Sequence, residues 1–211
     1  MDRGRFITLE GGEGTGKSTQ ARLLDAALER AGIETLTTRE PGGAPGAEAI
    51  RLLLVEGAAG RWDALGEALL HYAARRDHLV TTVRPALEAG RWVISDRFAD
   101  STMAYQGYGR GLGRDVIETL HRVVVGDCRP DLTLILDLEV DEGLKRAAAR
   151  GGDEHRYERM DIDFHQRLRQ GFLDIARREP ERCVVIDASG PIEETHAAVI
   201  AVTRERLEVA L

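Results

Sequence analysis

The 211-residue chain has no asparagine, which excludes the NKxD-type motif by which GTPases read guanine. Lysine is almost missing as well: of 29 basic residues only Lys17 and Lys145 are not arginine. Cysteine occurs twice, at Cys128 and Cys183, with no CxxC pair, so neither a disulfide framework nor a zinc cluster is expected. Apolar runs are short, the Leu132–Leu136 run being broken by Thr133, far below the roughly 18 residues of a spanning helix. The opening residues are charged at positions 2, 3 and 5 and lack the apolar core of a secretory leader, so a soluble cytoplasmic protein is expected. A net charge of −7 speaks against a general nucleic-acid binder, which needs a basic footprint, but leaves room for a basic pocket.

What is present reads as one α/β domain over residues 1–211, with 43% apolar and 31% charged residues. Strands are expected at 6–10, 34–38, 92–96, 131–138 and 183–187. Helices are expected at 16–31, 47–56, 63–88, 114–125 and from 193 onward. The alternation implies βαβ crossovers and a five-stranded, mostly parallel sheet between two helical layers. Ligands of such sheets sit beyond the carboxyl ends of the strands, where Glu10, Arg39, Asp96 and Asp137 fall. The glycine-rich run 107–114 fits no nucleotide motif and reads as a flexible loop.

Between the first strand and the first helix lies GGEGTGKS, which matches GxxxxGK[ST] in the context that motif requires. Gly11, Gly12, Glu13, Gly14, Thr15, Gly16, Lys17, Ser18 and Thr19 are therefore expected to hold the ATP phosphates. Glycines let backbone N–H groups turn inward, and the helix start adds a positive dipole end. Lys17 is expected on the β- and γ-phosphates and Ser18 on Mg²⁺. The short chain and its arginine-rich loops favour a nucleoside monophosphate kinase. A kinase for another base and a nucleotide-dependent switch module are the alternatives.

Six segments, the phosphate loop included, make the chain resemble the thymidylate kinase family: LEGGEGTGKST at 9–19, TREPGG at 38–43, YAARR at 72–76, DRFADSTMAYQG at 96–107, RPDLTLILDL at 129–138 and RYERMDIDFHQR at 156–167. The resemblance implies a P-loop NTPase-type fold, phosphorylation of dTMP by ATP with Mg²⁺, and a homodimer built on the helices near 63–88 and 114–125. It implies that Arg39, Arg51 and Arg97 meet the dTMP phosphate and that Glu13 meets the sugar 3′-hydroxyl. Asp96, next to Arg97, would hold Mg²⁺ through water or orient Arg97. His71 would stack on thymine, four residues before Arg75, which would donate to O4; imidazole replaces the family's usual phenylalanine, and its protonation near neutral pH can change affinity. Thr102, Tyr105 and Gln106 would hold thymine N3 and crowd the ribose 2′ side. Positions 12–15 hold no arginine. The resemblance therefore assigns the catalytic arginine to a lid at about 141–161, with Arg150 and Arg156 as candidates and Gly151-Gly152 as a hinge.

Overall fold

A computed structural model describes residues 3–58, 60–150 and 156–211 of the chain, except for the side chain of Arg150. The expected hinge at 151–152 and the Arg150 side chain lie outside the described residues. Five parallel strands, β1 (Phe6–Glu10), β2 (Thr35–Arg39), β3 (Trp92–Asp96), β4 (Leu132–Asp137) and β5 (Cys183–Asp187), form one sheet in the order β2-β3-β1-β4-β5. β1 is central and buried along its whole length, as expected of a parallel strand covered on both faces. Its register pairs Leu9 with Asp96 of β3 and Glu10 with Ile135 of β4.

The period of two along β1 separates two cores. Phe6 joins Tyr72, Phe98, Phe164 and Phe172 on one face of the sheet. Ile7 and Leu9 join Leu24, Leu28, Leu134 and Val199 on the other. The first face is covered by α3 (Ala64–His78), α5 (Ala99–Thr102), α6 (Arg114–Val124) and α8 (Ile162–Arg178). The second is covered by α1 (Lys17–Arg30) and α9 (Ile192–Leu207). The remaining helices are α2 (Pro45–Val55), α4 (Arg84–Glu88) and α7 (Val140–Arg150).

The long helix expected at 63–88 is α3 running into α4 through a π-helical stretch, Leu79–Val83, where the N–H of Arg84 reaches the carbonyl of Leu79. The expected loop at 107–114 is corrected in part. Its first glycines continue α5 as a second π-helical stretch, Met103–Gly109, closed by the Arg110 N–H on the Tyr105 carbonyl at 2.8 Å. A π turn reduces the rotation between neighbouring side chains, so Tyr105 and Gln106, adjacent in sequence, both reach the same cleft. α8 was absent from the sequence-based layout. It opens on Asp161, whose carboxylate accepts from the N–H of Phe164 at 2.7 Å.

Candidate active site

The strand order reverses beside β1, and a cleft of about 400 Å³ opens there at the carboxyl ends of β1 and β3. One wall is the phosphate loop. Gly11 adopts φ +134°, and a Cβ there would stand 2.3 Å from the carbonyl of Leu136. Gly14 adopts φ +68°, and a Cβ there would stand 2.0 Å from the carbonyl of Gly143 in α7. Only glycine fits at either place, so the motif's spacing lets the loop lie backbone to backbone against its neighbours. Lys17 bends back over the loop, Nζ donating to the Gly12 carbonyl at 2.5 Å and to Thr15 Oγ1 at 3.2 Å. Burial, and then Arg97, push its amine down to about 8, against the pull of Glu13, Asp96 and Glu10. The Ser18 hydroxyl donates to Asp96 Oδ2. A hydroxyl and a carboxylate from the loop and the β3 terminus form a hard oxygen donor set suited to Mg²⁺.

Arg97 follows β3 with φ +70°, a position held by three contacts. Its N–H bonds the Leu9 carbonyl at 2.9 Å, and its own carbonyl accepts from Ser95 Oγ at 2.7 Å. The next residue, Phe98, donates its N–H to Glu10 at 2.7 Å. The Arg97 guanidinium donates to the Gly11 carbonyl at 2.9 Å and to Ser101 Oγ at 3.2 Å, and lies 5.0 Å from the centre of the Tyr105 ring. It also reaches Glu13 at 3.3 Å, and Tyr105 donates to the same carboxylate at 2.5 Å. Burial works to raise the Glu13 acid, but Arg97 and Lys17 outweigh it, so Glu13 stays below the usual carboxylate range. One anion is thus shared between two cations in the heart of the cleft.

The opposite wall is α3 with the α5–π segment. Arg75 is only 2% exposed. Its Nε donates to Glu40 at 2.7 Å, and its Nη2 donates to the Phe98 carbonyl at 3.0 Å and to Thr102 Oγ1 at 2.9 Å. The guanidinium also lies 4.9 Å from the Tyr72 ring centre and 5.3 Å from that of Phe98. One nitrogen, Nη1, is buried and finds no partner among the described residues. Gln106 mirrors it: Nε2 donates to Glu67 at 2.7 Å, while Oε1 is buried without a partner there. A buried orphan donor and a buried orphan acceptor, both on residues lining one cleft, each await a complementary group.

His71 lines the same wall, with Nε2 3.0 Å from the Tyr157 hydroxyl. Burial first, then Arg75 and Arg156, push its imidazole down to about 3, so it is neutral throughout the physiological range. The protonation near neutral pH expected from the sequence is disfavoured here, because the half-buried ring stands among arginines that oppose a further positive charge.

The other expected residues divide. Gly14, Gly16, Thr19, Arg39, Arg51 and Arg156 all line the cleft. Gly11, Gly12 and Thr15 line a small cavity behind the loop. Arg39 is half-exposed and paired with Glu48 at 3.0 Å; Arg51 donates to the Pro41 carbonyl at 2.6 Å. Arg156 is buried and holds Glu67 at 2.5 Å and the Leu54 carbonyl at 2.9 Å, which ties this residue to α2 and α3. Sequence reasoning passed over Glu40, Glu67 and Tyr157. Glu67 and Arg75 share a helix face at i and i+8, the one signal that could have found Glu67.

A phosphate loop beside a cleft lined by Arg39, Arg51, Arg75 and Arg97 is the arrangement of a kinase acting on a nucleoside monophosphate, and fold and cleft together point to that class. The thymidylate kinase family model matches residues 9–199. A thymidylate kinase of Caulobacter vibrioides is 55% identical over 207 residues, covering 98% of this chain and 99% of that protein. One of Nitrobacter hamburgensis is 51% identical over 210 residues, covering 99% and 91%. A solved thymidylate kinase structure from Ehrlichia chaffeensis superposes with a TM-score of 0.78 at 39% identity, covering 96% of this chain and 99% of that one. The chain belongs to the thymidylate kinase family.

Proposed function

We propose that the cleft works as follows. The chain is a nucleoside monophosphate kinase that phosphorylates dTMP with ATP as donor. The ATP phosphates lie on the loop at the start of α1, where unpaired N–H groups and the helix dipole favour anions. Lys17 leaves its bonds to Gly12 and Thr15 for the β- and γ-phosphates. Arg97, with Arg39 and Arg51, receives the dTMP phosphate, and Glu13 accepts from the sugar hydroxyl. An oxygen of the dTMP phosphate attacks the γ-phosphorus. A new O–P bond forms, the bond to the β,γ-bridging oxygen breaks, and ADP leaves with the electron pair. No general base is needed, because the attacking oxygen is already anionic.

Ser18 and Asp96 would hold Mg²⁺, which when bound supplies charge neutralisation on the donor phosphates. A single domain with residues 141–161 as its lid completes the reading, Arg150 or Arg156 supplying positive charge to the migrating group. No helix among the described residues is long and apolar enough to cross a membrane; we assign the enzyme to the cytoplasm, where ATP is at hand.

The orphan pair carries the base assignment. Thymine presents a carbonyl acceptor beside an N–H donor, which complements Arg75 Nη1 and Gln106 Oε1, and His71 supplies a neutral ring face. Cytosine presents the reverse pattern. The test is ADP formation with dTMP, dUMP, UMP, CMP, AMP and GMP as acceptors. Preference for dTMP is expected. Preference for AMP or CMP would discard the thymine pocket and keep the kinase, while absence of any acceptor-dependent ADP would overturn the reaction itself.

A further inference from the structure

Glu67 is wholly buried in α3 and is not among the residues lining the cleft. Its two carboxylate oxygens are divided: Oε1 accepts from Gln106 Nε2 at 2.7 Å, and Oε2 accepts from Arg156 at 2.5 Å, with Arg110 3.9 Å away. Resting on the base-reading role of Gln106 proposed above, we infer that Glu67 is a specificity-determining positioning residue. It locks the Gln106 amide with its nitrogen turned away and its oxygen presented to the base.

The argument is one of donor and acceptor chemistry. A free carboxamide can rotate by half a turn and offer either a carbonyl or an NH₂ to a ligand. Such an amide would serve uracil-type and cytosine-type edges alike. A carboxylate between two guanidinium groups has no hydrogen to give, so only the NH₂ of Gln106 can face it. The flipped amide would set carbonyl against carboxylate inside a buried cluster, where an unmade hydrogen bond is costly. Gln106 therefore offers the base an acceptor alone. A base with N–H at that position is bound, and one with a lone pair there meets a lone pair. Discrimination of this kind, which leaves a buried polar group unpaired against the wrong ligand, is stronger than discrimination by size.

The test compares kcat/KM for dTMP, dUMP and dCMP; the last two differ only along the ring edge in question. The enzymes are the wild type, Gln106→Met, Glu67→Gln and the exchanged pair Glu67→Gln/Gln106→Glu, each checked by its unfolding temperature. In Glu67→Gln an amide faces an amide, and both orientations of Gln106 become satisfiable. The dUMP-to-dCMP ratio of kcat/KM is expected to fall at least tenfold. In the exchanged pair the amide at 67 donates and the acid at 106 can only accept, so the ratio is expected to return towards that of the wild type. A proportional loss with dUMP and dCMP in Glu67→Gln would mean that Glu67 only neutralises Arg156, and would overturn the inference. Should that variant fail to fold, the exchanged pair decides alone: a retained ratio supports the inference and a lost ratio overturns it. An unchanged ratio in Gln106→Met would show that Gln106 does not read the base, which removes the proposed reading and this inference with it.

Discussion

At the scale of single residues, the cleft is governed by who holds each charge. Lys17 is one of only two lysines in a chain whose other basic residues are arginine, and its bonds to Gly12 and Thr15 are made to the loop it serves. Lys17→Ala should lower kcat by roughly 10³-fold or more while leaving circular dichroism unchanged, because the charge acts on the transferring group and not on packing. His71 offers the opposite case. Its imidazole is pushed down to about 3, so it carries no charge at the pH of the cell. A base whose folded value is depressed contributes stability that is present above its ordinary value near 6.5 and is lost as pH falls towards about 3. His71→Phe should therefore leave the pH dependence of KM for dTMP unchanged between about pH 6 and 8, as measured by initial rates, and should blunt the fall of Tm on acidification. Lys17 was singled out by its motif and Arg75 and Arg97 by the resemblance to the family, and the structure places all three on one cleft. Glu40 and Glu67 were not singled out, because a buried carboxylate declares itself only when its cationic partner arrives from another element.

At the scale of elements, β1 shows how a strand delivers chemistry to its end. Glu10 continues the face of Phe6 and Thr8, so its carboxyl turns into the first core, accepting from the Phe98 N–H at 2.7 Å and meeting Ser101 Oγ at 2.5 Å. These contacts hold the segment that carries Arg97. Burial, and then Asp100, raise the Glu10 acid to about 8. A folded value raised above the unfolded one near 4.5 gives stability that is full below about pH 4.5 and is lost as pH rises through about 8. Glu10→Gln, neutral at every pH, should flatten the decline of Tm between about pH 5 and 8 in thermal melts. The five strands were visible as short apolar runs to within a residue or two. α8 was not read ahead of the structure, and the run 107–114 was read as loop although its first glycines are helical. Glycine spacing marks where a chain can turn; the packing of α8 against the π-helical stretch decides that it stays wound.

At the scale of the whole molecule, α3 and α6 lie against each other and each exposes apolar side chains: Leu65 and Leu69 of α3 are 44% and 48% exposed, and Val123 of α6 is 80% exposed. The resemblance to the family implies a homodimer on these helices, and we propose that a second copy of the chain covers these side chains about a two-fold axis. Leu69→Glu should convert a dimer to a monomer in sedimentation velocity at micromolar concentration; a wild type that is monomeric there would sink the assignment. α3 would then carry base-binding residues on one face and the dimer on the other. The phosphate loop and the mostly parallel sheet were legible in the sequence, since each depends on local spacing: glycines where the backbone must turn, β-rich runs separated by helices, and a lysine at a helix start; the class of reaction rested on the resemblance to the family, which the family model over residues 9–199 supports. The tertiary structure decided the rest. Only folding brings Glu67 to Gln106, 39 residues away, and Glu13 to Arg97, 84 residues away. Whether a side chain reads a base, balances a charge or loses its proton depends on which partners share its buried volume, and those partners are neighbours in space rather than in sequence.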